Sequence, residues 1–241
     1  MEYLAFFGIT GWLPLAYYNV YKQDRYLTPF TICNENNENV CEVTRARNMF
    51  ISRALRAVKC PKLGRKDSPC AREKRGILTW FMVACFLLVG TISSISVFKN
   101  INKYSENYNF LVPSVISVAI SFLLFGLLKV PYGSAPHESK KIHLRIAISA
   151  FALMIVNSFY LSFHSGKTSM YVLSAMLCVS AVMAGTSESI VDNNVPTATE
   201  IPHKWYENKQ WHRRLIDSLF QLGENLPVIF YGLIILVAAK D

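Results

Sequence analysis

Residues 78–98 read LTWFMVACFLLVGTISSISVF, an apolar stretch that contains no charged side chain. Three similar stretches follow it, at residues 110–129, 144–163 and 170–187. Each holds about 18–21 residues, enough for a helix to cross a hydrocarbon core of about 30 Å. A soluble protein could not bury four such runs in succession, so residues 78–187 are predicted to form a four-helix transmembrane block.

Each end of the chain adds one further apolar segment. Residues 1–21 are apolar and aromatic, and the first basic residue, Lys22, follows this run instead of preceding it. That order differs from a secretory signal peptide, so we predict an uncleaved first transmembrane helix. Residues 218–241 are predicted to form the last transmembrane helix and a short tail. The predicted fold class is therefore all-α: a multi-pass helical membrane protein with about six transmembrane helices.

Basic residues are distributed unevenly between the predicted loops. The net charge is +9, and with six spans the loops 22–77, 130–143 and 188–217 share one side of the membrane. With helix-end charges assigned to the nearest loop, that side holds 21 of the 25 Lys and Arg residues. The positive-inside rule then predicts that residues 22–77 form a cytosolic basic loop, that residues 188–217 form a polar cytosolic segment, and that both termini face the opposite side.

Four cysteines share the long loop at the spacing C-x7-C-x18-C-x9-C: Cys33, Cys41, Cys60 and Cys70. Zinc ligands usually come in pairs two to four residues apart, so we predict no metal site and no cofactor. Two disulfides would require an oxidising lumen, whereas the charge distribution places this loop in the reducing cytosol.

The second half of that loop has the pattern of a basic amphipathic helix. In residues 43–59, VTRARNMFISRALRAVK, apolar residues recur at helical spacing and basic residues fall largely on other sides. Such a helix can lie in a membrane interface or pack on the rest of its own chain. The predicted lipid-interface residues of this helix are Arg45, Phe50, Arg53, Arg56 and Lys59.

A second aromatic and basic run, HKWYENKQWHRR, precedes the last span. Trp205 and Trp211 suit the headgroup layer, where an amphipathic ring sits half in water. Interleaved aromatic and basic residues can also stack on nucleic-acid bases. Because these residues flank a membrane span, we expect anionic lipid headgroups as their partner and no nucleic acid.

The interiors of the four central spans contain no Asp, Glu, Lys or Arg. Pumps and many transporters place such residues within the membrane, so the sequence does not predict a proton or ion relay. Asn157 is the most polar deep residue. The span serines more often mark close helix packing than a pore.

Glu224, in the run LGENLP, is the candidate functional carboxylate. Its alternative role is the first turn of a helix at the interface, followed by Pro227, where acidic residues and proline are favoured. A functional Glu224 would turn inward toward His212 or Arg214, and that contact would need a break near Gly223.

The sequence indicates no catalytic residue. It favours a non-enzymatic subunit, assembly factor or regulator that acts through contacts with lipids and other membrane protein subunits. The alternatives are a channel or small-solute transporter, and a lipid-modifying enzyme that uses Glu224 with His203, His212 or Arg214. The predicted location is an endomembrane, foremost the endoplasmic reticulum, with the plasma membrane and the mitochondrial inner membrane as alternatives.

Overall fold

A computed structural model describes residues 1–15, 77–101, 107–129, 137–194 and 210–239. This part of the chain is helical throughout its regular structure and contains no strand, which confirms the all-α class. Its helices are α1 (Glu2–Thr10), α2 (Ile77–Asn100), α3 (Leu111–Lys129), α4 (His137–Ser165), α5 (Thr168–Asn194) and α6 (Gln210–Ala238). The predicted interfacial helix at 43–59 lies outside the described residues.

The helices form a closed bundle with α6 at its centre. Each helix packs on the next in the chain, and α6 closes the ring by packing on α1. It also contacts α2 and α4, and its Tyr231 side chain reaches Ser117 of α3. The last helix therefore organises the packing of the bundle.

Three helical segments are long and apolar enough to cross a membrane: Phe81–Asn100, Ile142–Ser165 and Thr168–Thr186. The apolar segments Leu111–Leu127 and Leu222–Ala238 are shorter, at 10–17 residues. As described, α1 has nine residues, about 14 Å of helix. The rest of the predicted first span lies beyond Leu15, outside the described residues.

The bundle is apolar outside, and its interior includes polar side chains. Its most exposed hydrophobic side chains include Phe122 and Phe163, each 73% exposed. Serines on α2, α3, α4 and α5 are buried, whereas no described Asp, Glu, Lys or Arg side chain is buried. Large exposed apolar side chains around an interior that includes uncharged polar groups are the arrangement that a hydrocarbon environment favours.

Small residues allow the helices to approach closely at two points. A Cβ atom added to Gly8 of α1 would collide with the backbone of Gly90 of α2. One added to Gly223 of α6 would come within 2.6 Å of the Ala184 backbone nitrogen in α5. Close backbone contact increases van der Waals attraction, the main source of helix association within a bilayer.

One end of the bundle gathers the short connections, and we call it the short-loop end. Gly166, at a φ of 65°, joins α4 to α5 in a conformation that side chains disfavour. Next to it, the Lys167 amine donates to the Val237 carbonyl at 3.2 Å and so caps α6. The Tyr108 ring, from the α2–α3 connection, packs 5.3 Å from the His164 ring at the end of α4.

Two predictions about Glu224 are wrong: that it lies in the first turn of a helix, and that the helix breaks near Gly223. Helix α6 begins at Gln210, so Glu224 lies about 21 Å along it and not in its first turn. The helix also continues through Gly223 without a break, and Pro227 lies inside it. The reason is that the polar residues before the apolar run also form helix, and that Gly223 serves close packing and not bending.

Candidate functional site

A cluster of buried polar side chains connects α3, α4 and α6. The Asn157 amide nitrogen donates to the Tyr231 hydroxyl at 2.6 Å and to the Ser117 hydroxyl at 3.2 Å. The Ser117 and Tyr231 hydroxyls lie 2.8 Å apart, so each pair in the cluster is hydrogen-bonded. We call Asn157, Ser117 and Tyr231 the polar triad.

The three helices bring the triad together at one depth. Counted from the short-loop end of its helix, each residue is six to eight positions in, about 9–12 Å along the axis. Tyr231 is on the central helix α6, and its long side chain reaches both α3 and α4. All three side chains are buried, and Asn157 is 0% exposed.

Asn157 fills its donor positions but not its acceptor position. Its nitrogen is also 3.4 Å from the Pro113 carbonyl oxygen, so three acceptors surround the two amide hydrogens. The Oδ1 atom is buried and has no hydrogen-bond partner among the described residues. An unsatisfied buried acceptor costs about 1–3 kcal/mol.

Two further pairs of hydroxyl groups lie near the triad and connect neighbouring helices. Ser162 of α4 and Ser174 of α5 are hydrogen-bonded to each other at 3.0 Å, and both are buried. Thr91 of α2 and Ser121 of α3 form a similar pair at 2.6 Å. These contacts join neighbouring helices without introducing a charge.

Tyr108, Tyr160 and His164 form an aromatic group at the short-loop end. The Tyr160 and His164 ring centroids are 4.5 Å apart, and the Tyr108 ring lies 5.9 Å from that of Tyr160. The Tyr160 hydroxyl donates to the Asn109 carbonyl at 3.2 Å, which fixes the start of α3 against α4. Burial, with a smaller contribution from Tyr160, raises the pKa of the Tyr108 hydroxyl above its usual value.

Most of the residues predicted from sequence lie outside the part of the chain that the structure describes. Arg45, Phe50, Arg53, Arg56, Lys59 and Trp205 lie outside the described residues, as do the four loop cysteines and His203. Trp211, His212 and Arg214 belong to α6, but the structure does not describe their side chains. Glu224 is partly buried beside the close contact of Gly223 with Ala184.

The predicted approach of Glu224 to Arg214 does not occur along α6. Ten residues of uninterrupted helix separate them, a rise of about 15 Å. The break near Gly223 that this contact was expected to need is absent from α6.

Sequence reasoning recognised Asn157 as a deep polar residue but missed its partners. Tyr231 reads as an aromatic residue of an apolar span, and Ser117 reads as one packing serine among many. Their contacts join positions 40 and 74 residues distant from Asn157 in the chain. No local pattern in the sequence signals such pairings.

Comparisons of the chain with protein-family models, curated protein sequences and solved structures found no match. The groups of the polar triad are neutral, and they donate and accept hydrogen bonds without carrying a formal charge. Among the described residues, no group of three or more His, Cys, Asp or Glu side chains could hold a metal ion.

Proposed function

We propose that this chain is a non-enzymatic multi-pass membrane protein with six spans, a subunit, assembly factor or regulator that acts through helix and lipid contacts. The single observation that supports it best is the apolar exterior around an interior that includes hydroxyl and amide groups. Exposed Phe122 and Phe163 suit lipid chains, while the inward serines and Asn157 find partners within the bundle.

The packing of α1 supports six spans with both termini on one side. Gly8 meets Gly90, and three residues later Gly11 lies beside Phe86, so α1 and α2 are antiparallel. Met1 is therefore directed toward the same end of the bundle as the C-terminus of α6. The loops at the opposite end, residues 22–77, 130–143 and 188–217, hold most of the basic residues. By the positive-inside rule, the end that carries the termini is then the non-cytosolic one.

The proposed lipid contacts involve the long basic loop. In that arrangement, residues 22–77 leave the bundle on the cytosolic side, where anionic headgroups attract Lys and Arg by about 1 kcal/mol each. The helix at 43–59 then lies on the headgroup layer, with Phe50 inserted and Arg45, Arg53, Arg56 and Lys59 at the surface. Trp205 and Trp211 occupy the same layer before the last span, in an endomembrane such as the endoplasmic reticulum.

A small-solute transporter or channel is the second candidate function. The observation that favours it is the polar triad, since a transporter needs polar groups that face one another within the membrane. The triad has no charge, so its substrates would be small and neutral and not ions.

Purification in mild detergent, followed by reconstitution, separates the two candidates. A subunit is expected to retain a stoichiometric membrane partner, and its purified chain should leave the permeability of liposomes to glycerol and urea unchanged. A transporter is expected to purify alone and to raise that permeability several-fold, with the increase lost in Asn157→Leu. An isolated chain that retains no partner and moves no solute would contradict both candidates.

A further inference from the structure

We propose that Asn157 binds one water molecule inside the bundle, through the amide atom that faces away from Ser117 and Tyr231. This site goes beyond the contacts with lipids and subunits, and it does not depend on them. Three features support this site: the depth of Asn157, the chemistry of its neighbours and, among the described residues, the absence of buried charged side chains.

The first observation is that Asn157 is held in place yet incompletely bonded. Its side chain is 0% exposed, and its nitrogen is committed to Tyr231 at 2.6 Å and Ser117 at 3.2 Å. Its Oδ1 atom has no partner among the described residues. A buried polar atom in this position is usually satisfied by an internal water molecule, which makes about three hydrogen bonds.

The second observation is that turning the amide over does not remove the need for a partner. In the reverse orientation Oδ1 would accept from the Tyr231 and Ser117 hydroxyls, but it would face the Pro113 carbonyl, which has no hydrogen to donate. The nitrogen would then point to the unpaired position with two unused hydrogens. A water molecule can serve either orientation because it both donates and accepts.

The third observation limits the size and charge of the bound molecule. Met154 and Leu161, one turn before and one turn after Asn157 on α4, are both 0% exposed, so buried apolar side chains flank the polar triad along this helix. No charged side chain is buried in the part of the chain that the structure describes. A small neutral molecule fits these surroundings, whereas an ion would lack a counter-charge.

The polar groups near the triad indicate the end from which water enters. Ser162 and Ser174 lie toward the short-loop end. In the opposite direction the buried residues nearest the triad on α3 and α4 are apolar, as at Leu124 and Ala150, and the next buried polar side chain on α4 is His143, near the other end of that helix. Water is therefore expected to exchange with the side of the membrane that carries the short-loop end.

Nuclear magnetic resonance on the full chain in lipid nanodiscs tests this site. The asparagine side chains are labelled with nitrogen-15, and the Asn157 signal is assigned by its loss in Asn157→Leu and, independently, by its shift in Tyr231→Phe. We expect an Asn157 cross-peak to water with opposite signs in laboratory-frame and rotating-frame experiments, the signature of a long-lived bound molecule. Exposed Asn109 is the control and should show only the weak signal of short-lived surface hydration.

Two results would overturn the proposal. A missing water cross-peak at Asn157, with the expected weak signal at Asn109, would mean that the amide is dry. A cross-peak to lipid acyl protons in place of water would mean that a lipid chain occupies the site.

Discussion

The Tyr231 hydroxyl and the Asn157 amide nitrogen lie 2.6 Å apart, although 74 residues separate them in the chain. The contact joins α6, which packs at the centre of the bundle, to α4. Ser117 brings α3 into the same group through its 2.8 Å contact with Tyr231. One tyrosine hydroxyl therefore connects three helices inside the bundle.

Removal of that hydroxyl should weaken the bundle by a measurable but modest amount. In a double-mutant cycle of Tyr231→Phe with Ser117→Ala, we expect a coupling free energy of about 0.6 kcal/mol, the average for hydrogen bonds between membrane helices, and no more than about 1.7 kcal/mol. Unfolding in mixed micelles provides the measurement. Ser94→Ala is the matched control, because its hydroxyl donates within its own helix, to the Gly90 carbonyl at 2.6 Å. An equal coupling of Tyr231→Phe with Ser94→Ala would contradict the role of the triad.

The close approach of α1 and α2 predicts opposite effects for two alanine substitutions. Gly8→Ala introduces a Cβ atom into the Gly90 backbone and should destabilise the fold by about 1–3 kcal/mol. Gly126→Ala is the control, since an added Cβ at Gly126 meets nothing within 4 Å. It should be neutral or slightly stabilising, because alanine favours helix more than glycine does. Thermal unfolding in detergent distinguishes them, and a harmless Gly8→Ala would show that the contact is dispensable.

The prediction for Tyr108 concerns stability at high pH. The raised pKa means that the folded state holds the phenolic proton more tightly than the unfolded state. The resulting stabilisation is complete below about pH 10 and declines as the pH rises above it. Tyr108→Phe should remove this decline. It should cost little near pH 7, since the hydroxyl is buried without a hydrogen-bond partner among the described residues.

Tyr160→Phe is the matched control for that experiment. It removes a hydroxyl that contacts both backbone groups of Asn109, at 3.1 and 3.2 Å, so it should destabilise the fold near pH 7. Identical pH profiles for the wild type and Tyr108→Phe would show that Tyr108 does not determine the alkaline loss.

The prediction for the basic segment at 43–59 can be tested on an isolated peptide. A peptide of these residues should become helical on anionic vesicles and much less so on neutral ones, because we expect Arg45, Arg53, Arg56 and Lys59 to bind anionic headgroups. Circular dichroism measures the change. A control peptide with these four residues replaced by glutamine should lose the preference. Equal binding to both kinds of vesicle would contradict the electrostatic part, and no binding would favour packing within the protein.

The helices could be predicted from sequence because their signal is local. A run such as 78–98 has the length and composition of a span, and α2 extends only slightly beyond it. The start of α6 was missed because residues from Gln210 onward are polar, and hydropathy marks the membrane layer and not the end of a helix. For the same reason the sequence favours a first-turn position as one of the two roles of Glu224, whereas α6 begins at Gln210.

The candidate site could be predicted only in part, for a different physical reason. Asn157 is conspicuous because an amide in an apolar span needs partners. The identity of those partners depends on the way α3 and α6 pack against α4, which is a property of tertiary structure. The same holds for Gly8 and Gly90, since each glycine is unremarkable in a span until the other lies against it.

The most direct test of the six-span proposal is cysteine labelling, which measures the side of the membrane from which each end of the bundle is accessible. In a background without native cysteines, a single cysteine is placed at exposed Asn107 of the short-loop end, or the native Cys70 is retained alone. Sealed vesicles of known orientation are treated with a membrane-impermeant maleimide. The proposal predicts that position 107 reacts only from the non-cytosolic side and Cys70 only from the cytosolic side. Reaction of both positions from the same side would contradict it.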